Sequence, residues 1–295
     1  MRKYMHIERF GNTEVDGINE GLCYIFSKID GTNGSIWLEN NELKCASRNR
    51  DLSEYQDNAG FYKYVLENKE KYLAFFNEFP TVILYGEWLV PHTLKTYRDN
   101  TWYKFYVFDV YNIEKDEFIN YEEYNLWCIE YYIDFIPALC KVNNPSLDTL
   151  HKVLDKNIFL IKDGCGYGEG ICIKRYDFIN KYKRVVWAKL VRNEFKDSMI
   201  KNETPKLFGK DLIEEKIIDM FVTESLIDKT YAKIVNENDG WSSKNVPQLF
   251  STVYYDLIKE EMWEILKKFK NPVIDFKLLN RLVVLKIKEI KKELF

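Results

Sequence analysis

Histidine is scarce in this chain, proline and glycine are sparse, and neither sign of charge dominates. The 295 residues hold three histidines, seven prolines and 13 glycines, and 43 Lys and Arg nearly balance 46 Asp and Glu for a net charge of −3. A protein that coats nucleic acid is strongly basic, whereas one that grips it in a single groove needs only local positive charge. The balance therefore neither demands nor forbids RNA. No run of about 18 apolar residues exists, so no membrane span is expected. The opening Met1-Arg2-Lys3-Tyr4-Met5-His6-Ile7-Glu8-Arg9 lacks the apolar stretch of a secretory signal. The six cysteines (Cys23, Cys45, Cys128, Cys140, Cys165, Cys172) form no CxxC pair. With only His6, His92 and His151 to join them, a structural zinc site is not expected. Several cysteines lie in apolar runs and read as reduced core residues, which points to an intracellular, cytoplasmic protein.

What the chain does have is apolar and aromatic substance: 46% hydrophobic and 16% aromatic residues, enough for a sizeable core, and 30% charged residues for its surface. Residues 22–38 alternate loosely around a break at Gly31–Gly34 and read as two strands joined by a turn. Residues 58–79 carry Phe61, Tyr64, Val65, Tyr72, Phe75 and Phe76 at roughly helical spacing. Residues 81–89 and 104–111 are rich in β-branched and aromatic side chains and read as strands. Residues 122–132 read as a helix, 147–154 as a short helix introduced by Asn144-Pro145-Ser146, and 170–175 and 184–191 as strands. Beyond Phe195 the texture turns helical, with stripes Ile213, Ile217, Phe221, then Tyr254, Ile258, Met262, Leu266, Phe269, then Leu279, Val283, Ile287, Ile290, Leu294. Lys286, Lys288, Lys291 and Lys292 fall off the last stripe, as a solvated face or as a surface for RNA phosphates. These patterns divide the chain into a mixed α+β domain, 1–196, and a helical one, 197–295.

The most informative stretch is Ser27-Lys28-Ile29-Asp30-Gly31-Thr32-Asn33-Gly34. A strand ending in lysine before a tight Gly turn leaves an amine at the rim of a sheet. Nearby cations or a metal ion can free its lone pair for attack on phosphorus. Alone, the same letters fit a surface hairpin. Asp163-Gly164-Cys165-Gly166-Tyr167-Gly168 is Gly-rich but lacks the Gly-Lys-Ser/Thr ending of a phosphate loop, and reads as a flexible turn.

Lys28-x-Asp30-Gly31-x-Asn33 resembles motif I of the covalent nucleotidyltransferases: DNA ligases, RNA ligases and mRNA capping enzymes. Asn33 stands where DNA ligases and capping enzymes usually have arginine, and is similar to RNA ligases related to the phage nick-sealing enzyme. Further segments follow in the family's order. Ser47-Arg48-Asn49-Arg50 resembles motif Ia, Leu84-Tyr85-Gly86-Glu87-Trp88 motif III, and Val107-Phe108-Asp109-Val110 motif IIIa. Glu169-Gly170-Ile171-Cys172-Ile173-Lys174 resembles motif IV, and Trp187-Ala188-Lys189 motif V. One short motif is weak evidence, but six in order between residues 27 and 189 are strong.

The resemblance implies an α+β fold: an ATP-grasp-like nucleotidyltransferase domain of antiparallel sheets with flanking helices, then a small all-helical C-terminal domain. It implies an ATP-dependent RNA ligase that needs Mg2+ or Mn2+ and acts on RNA ends in a nicked duplex or single strand; a monomer is the expected state. Lys28 would form the lysine–AMP phosphoramidate, and Asn33 would orient the phosphates. Arg48, or Arg50 if the alignment slips, would contact phosphate or the RNA end. Glu87 would accept the ribose hydroxyls and, with Glu169, serve a metal. Phe108 would stack on adenine, Lys174 and Lys189 would face the α-phosphate, and the backbone at Ser27 and Ile29 would read the base edge. One position departs: related RNA ligases have Lys-x-Lys in motif V, and here the first lysine is Trp187. Arg184, Lys183 or the metal are the candidates to compensate. DNA ligases and capping enzymes add an OB-fold after motif V, against which the helical tail argues. A non-catalytic RNA-end binder is the alternative from another class.

Overall fold

The computed structural model describes residues 2–91, 96–192 and 212–295; the expected boundary at residue 196, and His92, lie outside the described residues. Two compact units emerge, Met1–Val191 and Arg192–Phe295. Among the described residues no helix is long and apolar enough to cross a membrane.

The first unit is built on two five-stranded sheets. One has the order β1 (Glu8–Arg9), β10 (Ala188–Val191), β9 (Gly170–Lys174), β2 (Leu22–Lys28), β8 (Ala138–Asn143). The other has the order β4 (Glu42–Ser47), β3 (Thr32–Glu39), β5 (Val82–Leu89), β6 (Lys104–Asn112), β7 (Glu117–Phe118). All pairings are antiparallel except β1 with β10.

Alternation along β2 explains its place. Cys23 and Ile25 pack with Ile171, Ile173, Leu150 and Leu154, the last two from α4 (Leu147–Asp155). Tyr24 and Phe26 face the other way, toward Cys172, Tyr106 and Ile136. A strand apolar on both faces must lie inside a layered stack, and this one does. The second sheet is backed by α1 (Phe61–Glu67), α2 (Lys69–Glu78) and α3 (Tyr121–Glu130), through Phe61, Val65, Tyr72, Phe75, Phe76, Tyr124 and Cys128. Burying those side chains contributes roughly 1.5–3 kcal/mol each relative to exposure.

Several elements differ from expectation for local reasons. The helix expected over 58–79 is two helices, because Asn68 leaves helical geometry (φ −103°, ψ 19°) while its side-chain amide donates to Tyr64 O at 2.9 Å. The strand expected over 184–191 shortens to Ala188–Val191. Asn180 Oδ1 accepts the N–H groups of Tyr182 and Arg184, closing a tight turn bridged by Ile179 and Val185. Strands β1, β4, β7 and β8 were not anticipated from pattern.

The second unit is helical: α5 (Ile213–Phe221), α6 (Glu224–Glu237), α7 (Val246–Asp256), α8 (Met262–Lys268) and α9 (Phe276–Ile290). Helix α6 had no stripe assigned to it; Thr223 caps it by accepting the N–H of Leu226. Along α7 and α8 the most deeply buried residues are Leu249, Val253, Leu257 and Ile265, while Tyr254, Ile258, Met262 and Phe269 of the expected stripe are partly buried against the same core. A π-helical turn over Leu257–Glu261 rotates the face midway. The last stripe is buried at Leu279, Val283 and Ile287. Two of its flanking lysines are engaged inside the unit: Lys291 lies 2.6 Å from Asp228, and Lys286 lies 3.7 Å from Asp219.

Candidate active site

Motif I straddles the two sheets. β2 ends at Lys28 in the first, Ile29–Gly31 cross over, and β3 starts at Thr32 in the second. The crossing is held from both sides. Asp30 N–H donates to the Tyr97 hydroxyl at 2.8 Å, and Gly31 N–H donates to Glu87 Oε1 at 2.9 Å. Gly31 is required by close approach: a Cβ there would meet Trp88 O at 2.5 Å.

Lys28 Nζ lies 2.5 Å from Glu169 Oε2, with the two side chains 23% and 10% exposed. Strand register explains the pairing, since Lys28 sits opposite Gly170, the residue after Glu169. Asn157, fully buried, sets the approach to Glu169: its side-chain amide donates to Gly170 O at 2.8 Å, and its carbonyl accepts Gly168 N–H. The Gly-rich segment before it is a turn, with Gly164 and Gly166 at positive φ.

Lys189 is the register partner of Cys172, which in turn faces Phe26. Lys28, Lys174 and Lys189 therefore project from the same face of the first sheet. Burial pushes the Cys172 thiol up, against the pull of Lys28, Lys174 and Lys189, while Glu169 adds to the rise.

The second sheet supplies the opposite row. Asn33 pairs in register with Glu87, both half-buried, and Ser47 pairs with Gly34, so that Arg48 leaves β4 beside them as an exposed side chain. Arg50, half-buried, closes the same bend by offering its carbonyl to Ser47 N–H. Phe108 is the extra residue of a β-bulge: Tyr85 pairs with Asp109 and Gly86 with Val107. A bulge re-aims a side chain, and Phe108 ends half-buried against Tyr4 and beneath the Lys174 ammonium. The pairing of β2 with β8 ends at Phe26 opposite Ala138, one residue before Ser27; Ser27 and Ile29 are buried.

Lys174 is placed differently from the rest. Its side chain is 2% exposed, 2.8 Å from Asp109 Oδ2, and it donates to Phe108 O at 2.6 Å. Two of its three N–H donors thus serve the protein. Trp187, in the position of the missing motif V lysine, is fully buried against Phe118 and Tyr176. Arg184 is held by Glu14 at 2.7 Å, while Lys183 is exposed on the turn.

Sequence reasoning assigned no role to Asp109, Asn157, Tyr97 or Tyr4. Only Asp109 left a signal, an acid inside an apolar strand. Among the described residues no cluster of three His, Cys, Asp or Glu side chains forms a ready metal cage.

The RNA ligase family profile matches residues 22–191, more than half of the chain. No curated protein sequence matches it. Among solved structures it is similar to a Naegleria gruberi RNA ligase variant with ATP and manganese, at 19% identity and a TM-score of 0.52, covering 66% of this chain and 56% of that one. It is similar also to the Naegleria RNA ligase with pyrophosphate (20% identity, TM-score 0.53, 68% and 59% covered) and to a variant with AMP and manganese (18%, 0.51, 66% and 57%). The chain thus matches less than three fifths of the length of these structures, and the likeness is one of fold. By the span and order of its motifs, the chain belongs to the RNA ligase family.

Proposed function

We propose that this protein is an ATP-dependent RNA ligase that joins a 5′-phosphate to a 3′-hydroxyl through AMP carried on Lys28, acting as a cytoplasmic monomer. The observation that carries the reading is the Lys28–Glu169 pair, set on the sheet face that also bears Lys189 and opposite the Asn33–Glu87 row. Lys28 Nζ attacks the α-phosphorus of ATP; an N–P bond forms and the bond to pyrophosphate breaks. At 2.5 Å, Glu169 Oε2 is placed to take the proton that the ammonium must lose. An oxygen of the RNA 5′-phosphate then attacks the adenylate and the P–N bond breaks. A ribose 3′-hydroxyl finally attacks the activated 5′-phosphate and AMP leaves.

Lys189 faces the phosphates and offsets charge developing on their oxygens. Phe108 offers its ring to the adenine, Glu87 accepts from the ribose, Asn33 orients the pyrophosphate, and Arg48 reaches the RNA end. A Mg2+ or Mn2+ ion fits this donor set, because Mg2+ is commonly held by one or two carboxylates with substrate phosphates and water. Glu169 and Glu87 would hold it, and it would screen charge on the phosphate oxygens. The helical unit would position RNA ends.

Incubation with α-labelled ATP and a divalent metal tests the reading. We expect a labelled protein band, absent in Lys28→Ala, and sealing of nicked or single-stranded RNA by the parent. A parent that never takes up label is instead an RNA-end binder.

A further inference from the structure

We propose that Tyr4 is a positioning residue for the adenylyl site: its hydroxyl donates to Asp109, Asp109 grips the Lys174 ammonium, and this chain fixes Phe108. The proposal rests on the reading of Lys28 as the adenylate acceptor.

The geometry is a buried polar knot between the two sheets. Asp109, on β6, is fully buried, and its Oδ2 receives both the Tyr4 hydroxyl and Lys174 Nζ, the latter at 2.8 Å from β9. Lys174 also donates to the Phe108 carbonyl at 2.6 Å. The backbone of the bulge is thereby tied to the ammonium beside it. Tyr4 touches Phe108 a second time, ring to ring, with centroids 4.8 Å apart. Without the hydroxyl, a buried carboxylate would keep Lys174 as its chief donor. The ammonium would be drawn toward Asp109, away from Phe108 O, and both the aromatic ring and the remaining Lys174 N–H would shift. Burial already disfavours the charged form of Asp109, so its partners are hard to replace.

Tyr4 also belongs to an N-terminal segment strapped across β5 and β6, and a merely structural role must be separated from positioning. The molecule supplies the control. Tyr85, whose ring lies 5.1 Å from that of Tyr4, donates its hydroxyl to Arg2 O at 2.8 Å, so its hydroxyl anchors the same segment through Arg2 rather than through the Asp109 carboxylate.

The test compares the parent with Tyr4→Phe and Tyr85→Phe. Single-turnover labelling of Lys28 is followed over a range of ATP concentrations, with equilibrium ATP binding and melting temperature measured alongside. Tyr4→Phe is expected to lower the saturating labelling rate about ten- to a hundredfold, the range for one hydrogen bond to a charged group, while Tyr85→Phe labels like the parent. Parent-like labelling by both variants overturns the proposal. Equal loss in both also overturns it, because the segment then acts only as a strap. A parent that takes no label sinks the reading of Lys28 instead, and ATP binding then decides. Weaker binding by Tyr4→Phe alone supports the positioning role, and equal binding by all three proteins overturns it.

Discussion

At the scale of single residues, the sheet face around Cys172 carries three lysines that the chain uses differently. Lys28 is close to the surface and paired with Glu169, the acid proposed to take its proton, while Lys174 is sealed inside and paired with the fully buried Asp109. A buried pair has little net value as a whole, but removing one member leaves the other charged and unsolvated. Lys174→Met is therefore expected to destabilise the first unit by roughly 3–5 kcal/mol at neutral pH. The deficit also has a pH dependence. Burial raises the pKa of Asp109 above the ordinary aspartate value, with Lys174 opposing. For a group whose folded pKa is raised, the stabilising contribution is complete below the unfolded value and disappears as pH rises through the folded one. Without Lys174 the opposition is gone. Denaturation of Lys174→Met and the parent should therefore converge as pH falls and Asp109 becomes neutral. A gap constant with pH would mean that lost packing, not the stranded carboxylate, sets the cost.

At the scale of elements, the site depends on one short crossing between sheets, and that crossing was legible in part. Two strands around a break at Gly31–Gly34 were expected over 22–38, and β2 and β3 form there, but the crossing is Ile29–Gly31, Thr32–Gly34 already belong to β3, and the two strands enter different sheets. The neighbouring strand of motif III and the short helix at 147 were legible for the same reason: unbroken local patterns bounded by turn residues. The edge strands β4 and β8 were not, because strands with polar interruptions take their structure from pairing, which no local period reveals. The stripe read through α7 and α8 lies at the margin of the buried face, whose centre runs one residue earlier through Val253, Leu257 and Ile265. Tyr4 and Asn157 gave no signal at all: Tyr4 acts on Asp109 far along the chain, and Asn157 acts through the backbone of Gly170, where no side-chain spacing marks the contact. For the crossing itself, Gly31→Ala is the sharpest probe. The added Cβ would lie 2.5 Å from Trp88 O, a backbone atom fixed within β5, so the turn must move. A shift of about 1 Å in a reacting group can cost about a hundredfold in rate. Labelling of Lys28 should fall by about that factor while the thermal transition stays cooperative. Parent-like labelling would show that the turn tolerates displacement.

At the scale of the whole molecule, the division of labour follows from where each unit keeps its core. The first unit's layers close on themselves through clusters drawn from its own strands and helices. The helical unit has a separate core of Ile217, Ile227, Ile234, Leu249, Val253, Leu279 and Val283. Every residue read here as touching ATP lies in the first unit, and the family match stops at residue 191, where that unit ends. RNA presents a larger demand, since phosphates along a strand must be met over a distance that a nucleotide pocket does not span. Lys286 and Lys291 are already paired with Asp219 and Asp228, so any RNA surface on the helical unit relies on other cations, such as the exposed Lys288 and Lys292. A chain ending after Val191 should accept label from ATP at Lys28 at close to the parent rate yet fail to seal RNA. Lys288→Ala with Lys292→Ala in the full chain should leave labelling intact and make sealing more sensitive to salt. If the shortened chain seals RNA as well as the parent does, RNA is held by the first unit alone, and the helical unit serves something other than joining.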